Sequence, residues 1–159
     1  MRGLRILALA TLLFLPPAGA QPPVTLTAAR DLRADGAQAR AQRLPIVLFF
    51  ETADCAYCRQ VEEQFLPELL RDNARRPMFI LRTIDIHSSR PVTAFDGTGT
   101  DMRAFAARQQ VRVVPHLRFV GPDGETLAPD LVGLSTPDFY AGYLEGAIRT
   151  ARDKLRTAP

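Results

Sequence analysis

Five apolar residues in a row, Ile46-Val47-Leu48-Phe49-Phe50, stand between Pro45 and a short polar stretch that ends in Cys55-Ala56-Tyr57-Cys58. An unbroken apolar run of this length between breakers predicts a strand covered on both faces. After Cys58 the pattern becomes helical: Val61, Phe65, Leu66, Leu69 and Leu70 fall on one side, while Arg59, Glu62, Glu63 and Glu68 fall elsewhere. Pro67 inside that pattern predicts a kink. Residues 79–86, Phe-Ile-Leu-Arg-Thr-Ile-Asp-Ile, supply a second buried strand. If the helix is the crossover, the two strands run parallel and form a βαβ unit, with the cysteine pair where the first strand meets the helix.

The rest of the chain supplies flanking elements. Residues 24–27 predict a small edge strand, and residues 28–43 a solvent-facing helix rich in Ala and Arg, weakened by Gly36 and stopped before Pro45. Residues 87–100 are polar and hold Pro91, Gly97 and Gly99, which predicts a long surface loop with a specific role. A short helix over 101–110 turns Met102, Phe105 and Ala106 inward. Beyond Pro115, a strand over 116–120, the turn Gly121-Pro122-Asp123-Gly124 and a strand near 125–127 make an antiparallel hairpin. Ser135-Thr136-Pro137-Asp138 then opens a terminal helix with Phe139, Tyr140, Tyr143, Leu144, Ala147 and Ile148 on one face. The expected class is α/β: a central mixed sheet, βαβ then ββα, flanked by helices, with an added N-terminal helix.

At 159 residues, 47% hydrophobic and 23% charged, the chain fits one globular unit, placed at residues 21–159. Residues 1–20 read as a signal peptide: Arg2 and Arg5, an apolar run over 6–15, Pro16-Pro17, and Ala18-Gly19-Ala20 before a cleavage point near Ala20. Ten helical residues rise about 15 Å against about 30 Å of hydrocarbon, so an anchor is not expected. No cysteine follows Ala20 to carry a lipid. The mature chain is therefore expected outside the cytoplasm, not membrane-spanning, where disulfides persist. Without Arg2 and Arg5 it holds 18 basic and 17 acidic residues, so no nucleic-acid footprint remains.

Cys55 and Cys58 are the only cysteines. As a staple, a bridge closing about four residues is worth only roughly 1.9 kcal/mol on the chain-entropy estimate, against roughly 4.7 for a hundred-residue loop. As half of a zinc knuckle, the pair lacks partners, since His87 and His116 are the only histidines. As a redox dithiol, each position has a reason. A cysteine just before a helix meets the positive end of the macrodipole and unpaired first-turn amides, which favour thiolate over thiol. Cys58, three positions on, is placed to attack a mixed disulfide at Cys55 and release the substrate thiol. A CxxC beside a βαβ pattern is a recognised thioredoxin-like signature.

The run from Phe49 through Cys58, the helix behind it, and Val113-Val114-Pro115 before a hairpin together resemble the thioredoxin superfamily over nearly all of the mature chain. More narrowly, the CxYC motif, the loop Ala94-Phe95-Asp96-Gly97 and the helix opening at Thr136-Pro137-Asp138 resemble secreted, periplasmic bacterial thioredoxin-like proteins, including some of sulfur-oxidation systems. The resemblance implies an extracytoplasmic, periplasmic thiol–disulfide oxidoreductase acting on protein cysteines. Cys55 and Cys58 are then catalytic, and Val114, Pro115, Tyr57, Ala56 and Glu51 bind substrate or support the dithiol. Pro115 matches the family's cis-proline, which frees the backbone of Val114 to pair with an extended substrate. No cofactor beyond the Cys55–Cys58 disulfide and no metal is implied; the partners are a cysteine-containing protein and a membrane thiol-electron donor. Phe49 and Asp54 stand where the cytoplasmic relatives have a buried aspartate and a tryptophan, so proton removal from Cys58 falls to Glu51 or water.

Asp54 and Glu51 oppose a thiolate at Cys55, whereas Arg59 and the helix terminus favour it. A less stabilised thiolate makes a less oxidising disulfide, and the reading is a reductant or isomerase-like role, reducing rather than oxidising. The alternative is a thioredoxin-fold Cu(I)-binding or delivery module using the same dithiol, with Met102 or His116 as the further ligand. Otherwise His116 reads as an ordinary core or surface histidine and His87 as loop structure. Phe95 and Tyr57 are candidates for an apolar lip around the dithiol.

Overall fold

The computed structural model describes residues 25–157. The leader expected at residues 1–20 lies outside them. The elements follow as α1 (Leu32–Gln42), β1 (Ile46–Glu51), α2 (Ala56–Gln60), a π-helical turn (Val61–Phe65), α3 (Leu66–Arg75), β2 (Ile80–Asp85), β3 (Pro91–Thr93), β4 (Gly99–Asp101), α4 (Met102–Arg108), β5 (His116–Val120), β6 (Thr126–Val132) and α5 (Pro137–Thr157).

Four strands form a sheet in the order β2-β1-β5-β6. β1 and β2 are parallel, while β1 with β5 and β5 with β6 are antiparallel, so the expected mixed sheet is observed. β1 lies at the centre, and its side chains alternate between two cores. Ile46, Leu48 and Phe50 join Leu32, Ile84, Met102 and Phe105 on what we call the rear face. Val47 and Phe49 join Cys58, Val61, Leu66, Leu117, Phe119, Tyr140 and Leu144 on the front face. Full burial of a large apolar side chain stabilises by about 1.5–3 kcal/mol, so this alternation supports both helix layers at once.

Several elements differ from the expectation. The predicted strand at 24–27 is reduced, within the described residues, to one bridge between Ala28 and Thr83, with Thr27 and Ala29 bonding Thr83 along the outer edge of β2. Helix α1 is shorter than predicted and not simply solvated: Asp31 caps it through Ala34 N, and Leu32, Asp35, Gly36 and Ala39 are buried. Gly36 is required there, because a Cβ would collide with the carbonyl of Pro122 in the β5–β6 turn. Residues 87–100 are not a loop throughout, since β3 and β4 pair as a hairpin and Val92 and Ala94 enter the rear core. β6 runs on through Pro129 to Val132, which an edge strand tolerates because its outer amides are unpaired. In α5, Tyr140, Leu144, Ala147 and Ile148 are buried as predicted, but Phe139 and Tyr143 are exposed.

Candidate active site

β1 delivers the chain to the site. After Glu51, Cys55 N bonds Thr52 O at 3.1 Å, closing a turn that brings Cys55 to the N-cap of α2. Its Sγ accepts the Cys58 N–H at 3.0 Å, and Arg59 Nη1 donates to Ala53 O at 3.2 Å. The geometry holds sulfur at the amide end of a helix, where negative charge is favoured.

Cys55 and Cys58 form a disulfide with Cα atoms 5.2 Å apart. The two sulfurs are not equivalent. Cys58 is 2% exposed in the front core with Phe49 and Val61, whereas Cys55 is half-buried at its margin. An incoming group meets Cys55 first.

The Val114–Pro115 bond is cis. Because His116 is the register partner of Phe50, Pro115 lies beside the end of β1 that leads to the dithiol. Gly133 N donates to Pro115 O at 2.7 Å, tying the loop after β6 to the same place. Val114 is half-buried and touches both cores, and Cys55 packs on the front one. Ala56 and Tyr57 project outward, the latter 62% exposed.

Glu51 is half-buried on the front side of β1. Burial raises its carboxyl above the ordinary value, the charges of Asp85 and Glu62 add to this, and Arg90 opposes it. Glu62, four residues beyond Cys58, is likewise raised by burial and then by Glu63, against Arg59. The sequence points to Glu51 but not to these neighbours. The parallel register that pairs it with Asp85, and the helical spacing from Cys58 to Glu62, were the signals available.

Other candidates stand elsewhere. His116 shares the rear side of its register partner Phe50 and packs edge-on against that ring at 5.7 Å. Its Nε2 lies 2.8 Å from Asp130 Oδ2, an atom that also accepts from Arg118 Nη2 at 2.7 Å. Met102 is buried in the rear core, so both proposed copper ligands sit across the sheet from Cys58. Among the described residues no group of three or more His, Cys, Asp or Glu is arranged to hold a metal ion. Phe95 is not a lip residue. It packs against Gly124 of the β5–β6 turn and Gly36 of α1, at the opposite end of β5 from Pro115.

A disulfide between an accessible and a buried sulfur, at a helix start on a mixed sheet, can take two electrons and two protons from a dithiol and, once reduced, pass them to another disulfide. The chain is a thiol–disulfide oxidoreductase with the thioredoxin-like fold. A family model described as a thioredoxin-like domain matches residues 32–148, and the chain belongs to that family. Solved structures agree on the fold. A poplar thioredoxin h mutant superposes with a TM-score of 0.54 at 18% identity, covering 88% of this chain and 94% of that one. Thioredoxin O2 from Arabidopsis thaliana in the oxidized state gives 0.51 at 19%, covering 78% and 91%. A thioredoxin-fold protein from Helicobacter pylori gives 0.50 at 16%, covering 72% and 81%. No curated protein matches the chain.

Proposed function

We propose that this protein reduces disulfides of other proteins outside the cytoplasm. The observation that carries the reading is the asymmetry of the dithiol: Cys55 accessible at a helix N-cap, Cys58 buried three residues behind it. In the reduced form the Cys55 thiolate attacks one sulfur of a client disulfide, making a mixed disulfide and releasing the first client thiolate, which takes up a proton. Cys58 loses its proton and attacks Cys55 Sγ, releasing the second client thiol and closing the Cys55–Cys58 disulfide. Two electrons pass to the client, and a membrane thiol-electron donor returns them.

Residues around the dithiol take supporting roles. The backbone of Val114, beside Pro115, pairs with the client strand, and Ala56 and Tyr57 form the exposed wall over which it passes. Glu51 serves as proton acceptor for Cys58; its raised pKa suits that role, and Phe49, its apolar neighbour two residues back, offers none. Asp54 and the Glu51, Glu62 and Asp85 carboxylates oppose thiolate at Cys55, which favours a reducing couple. The signal peptide read at residues 1–20 puts the mature chain, from about Gln21, in the periplasm, with no cofactor other than its disulfide.

The test is a redox titration with mixed-disulfide capture. A potential near thioredoxin's, about −270 mV, is expected, together with protein adducts on Cys58→Ala; a value near the about −120 mV of a dedicated oxidase reverses the direction. Failure of Cys58→Ala to capture any protein removes the protein-substrate reading.

A further inference from the structure

Exposed large apolar side chains are grouped at one end of this molecule. Among the described residues they are Tyr57, Val113, Val132, Phe139 and Tyr143, each more than 50% exposed. Tyr57 stands between the cysteines, and Val113 is two residues before Pro115. Val132 pairs in register with His116 and precedes Gly133, which bonds the Pro115 carbonyl. α5 begins four residues after Gly133. Single exposed apolar residues are ordinary, but a group around a reactive bond marks an interaction surface.

Phe139 and Tyr143 are the members that the dithiol chemistry leaves unexplained. They are not part of the buried side of α5, which Tyr140, Leu144, Ala147, Ile148 and Ala151 form. Their rings lie 6.5 Å apart at the i, i+4 spacing, and Gly142 and Gly146 extend the same stripe at i+3 and i+7. Apart from the helix's own backbone and the adjoining residues, no atom of the described residues lies within 4 Å of where a Cβ would stand on either glycine. Glycine weakens a helix interior relative to alanine, and nothing packed against the helix among the described residues requires it at these two positions. The result is a shallow flank floored by glycine with two rings standing on it, open to close approach by another backbone. Phe and Tyr give large contact areas with few rotatable bonds.

We propose that the α5 flank of Phe139, Gly142, Tyr143 and Gly146 is a second contact for the client polypeptide, selecting disulfides flanked by an apolar or aromatic segment. This rests on the protein-reductase reading above. The client occupies the flank because it must already lie over Cys55 and Val114 to react, and Gly133, which bonds the Pro115 carbonyl, stands only four residues before the first turn of α5.

The test uses wild-type protein and the variants Phe139→Ser, Tyr143→Ser, Tyr143→Phe and Gly142→Leu, each reduced with dithiothreitol and freed of it. Substrates are two disulfide-linked decapeptides carrying either Phe-Leu or Ser-Ser beside the cysteine, and the small disulfide 5,5′-dithiobis(2-nitrobenzoate). Thermal melts check folding. Wild type is expected to prefer the Phe-Leu peptide by about tenfold in kcat/KM, the worth of one good aromatic anchor. The preference falls towards unity in Phe139→Ser, Tyr143→Ser and Gly142→Leu and survives in Tyr143→Phe, with the small disulfide reduced equally by all. An unchanged preference in the Ser and Leu variants overturns the proposal, as does a wild type without preference. A dimer in sedimentation that Phe139→Ser disperses also overturns it, assigning the flank to a second copy. Reduction of the small disulfide with neither peptide turned over refutes the protein-reductase reading itself.

Discussion

The rear and front faces of the sheet are held together by different means. On the rear face, ion pairs tie the helix layer and the strands. Asp35 of α1 is 7% exposed and takes a two-pronged grip from Arg82 of β2, at 2.6 and 3.0 Å. Asp130 of β6 gathers His116 and Arg118 of β5, and Arg118 continues to Gln109 after α4. On the front face the buried polar groups have fewer partners. Tyr140 Oη and Arg152 Nε are buried without a hydrogen bond, against Asp130 Oδ1 alone on the rear, among the described residues. Burial pushes the Tyr140 hydroxyl well above its ordinary pKa. A cleft of about 400 Å³ separates α3 from α5 over Phe65, Leu69, Leu144 and Ile148. The difference separates a scaffold fixed by directional contacts from a working face held mainly by apolar packing, where cysteines change partners.

Substitutions can break this contrast, beginning with the most drastic. Cys55→Ser should abolish reduction of a protein disulfide while leaving the urea midpoint nearly unchanged; residual turnover would mean that Cys58 is reachable after all. Asp130→Ala should destabilise by about 3 kcal/mol or more, because it leaves the half-buried Arg118 guanidinium and the buried His116 ring without the carboxylate they share. Burial pulls the Asp130 carboxyl upward, but the hydrogen bonds and charges of Arg118 and His116 outweigh it and leave the group below its ordinary value. Its contribution is therefore present above the ordinary carboxylate pKa and lost as pH falls through the lower folded value. The gap between wild type and Asp130→Ala in urea titrations should narrow in acid, and a constant gap would mean the charge is irrelevant.

Apolar truncation sharpens the comparison further. Leu48→Ala at the centre of the rear core should cost about 4 kcal/mol, and Leu144→Ala beside the front cleft about 2, since truncation costs depend on how well the site collapses. Equal costs would deny the front face its looser packing. Glu51→Gln should have the smallest effect and the opposite sign. A carboxyl raised in the folded state favours the native protein when protonated and loses that advantage as pH rises through the folded pKa. The variant should thus be more stable than wild type at neutral pH, by less than about 1 kcal/mol given its exposure, with the difference vanishing in acid.

The sequence made the central sheet legible wherever burial is continuous. Residues 46–50 advertise a strand because every position is apolar, residues 79–86 because five of the eight are, and their parallel pairing follows from the helix between them. The hairpin β3–β4 was invisible because three-residue polar strands have no period to read, and it is held by Val92, Ala94 and a bridge from Asp31 to Thr93. At the site, cysteine spacing showed the reactive pair. Its charge environment depends on register and helix phase, which bring Asp85 and Glu62 to Glu51. Of the α5 aromatics Tyr140 is buried as expected, whereas Phe139 and Tyr143 are exposed, because a helical wheel assigns a broad apolar side without saying which part meets the sheet.

The π-helical turn alters how the helix behind the dithiol is timed. Leu66 N bonds Val61 O, five residues back, so this turn holds about one residue more than an α-turn. Each residue advances an α-helix by about 100°, so everything after Phe65 lags by about that angle. The lag brings Leu66, rather than Phe65, into line beneath Cys58 and Val61, and lets Pro67 sit in the first turn of α3 without opposing an α-helical bond. The helix thus carries two rotational frames, one set by the sulfur chemistry and one by the sheet. Removing one residue between them would force the cysteines and the core to compete for a single frame.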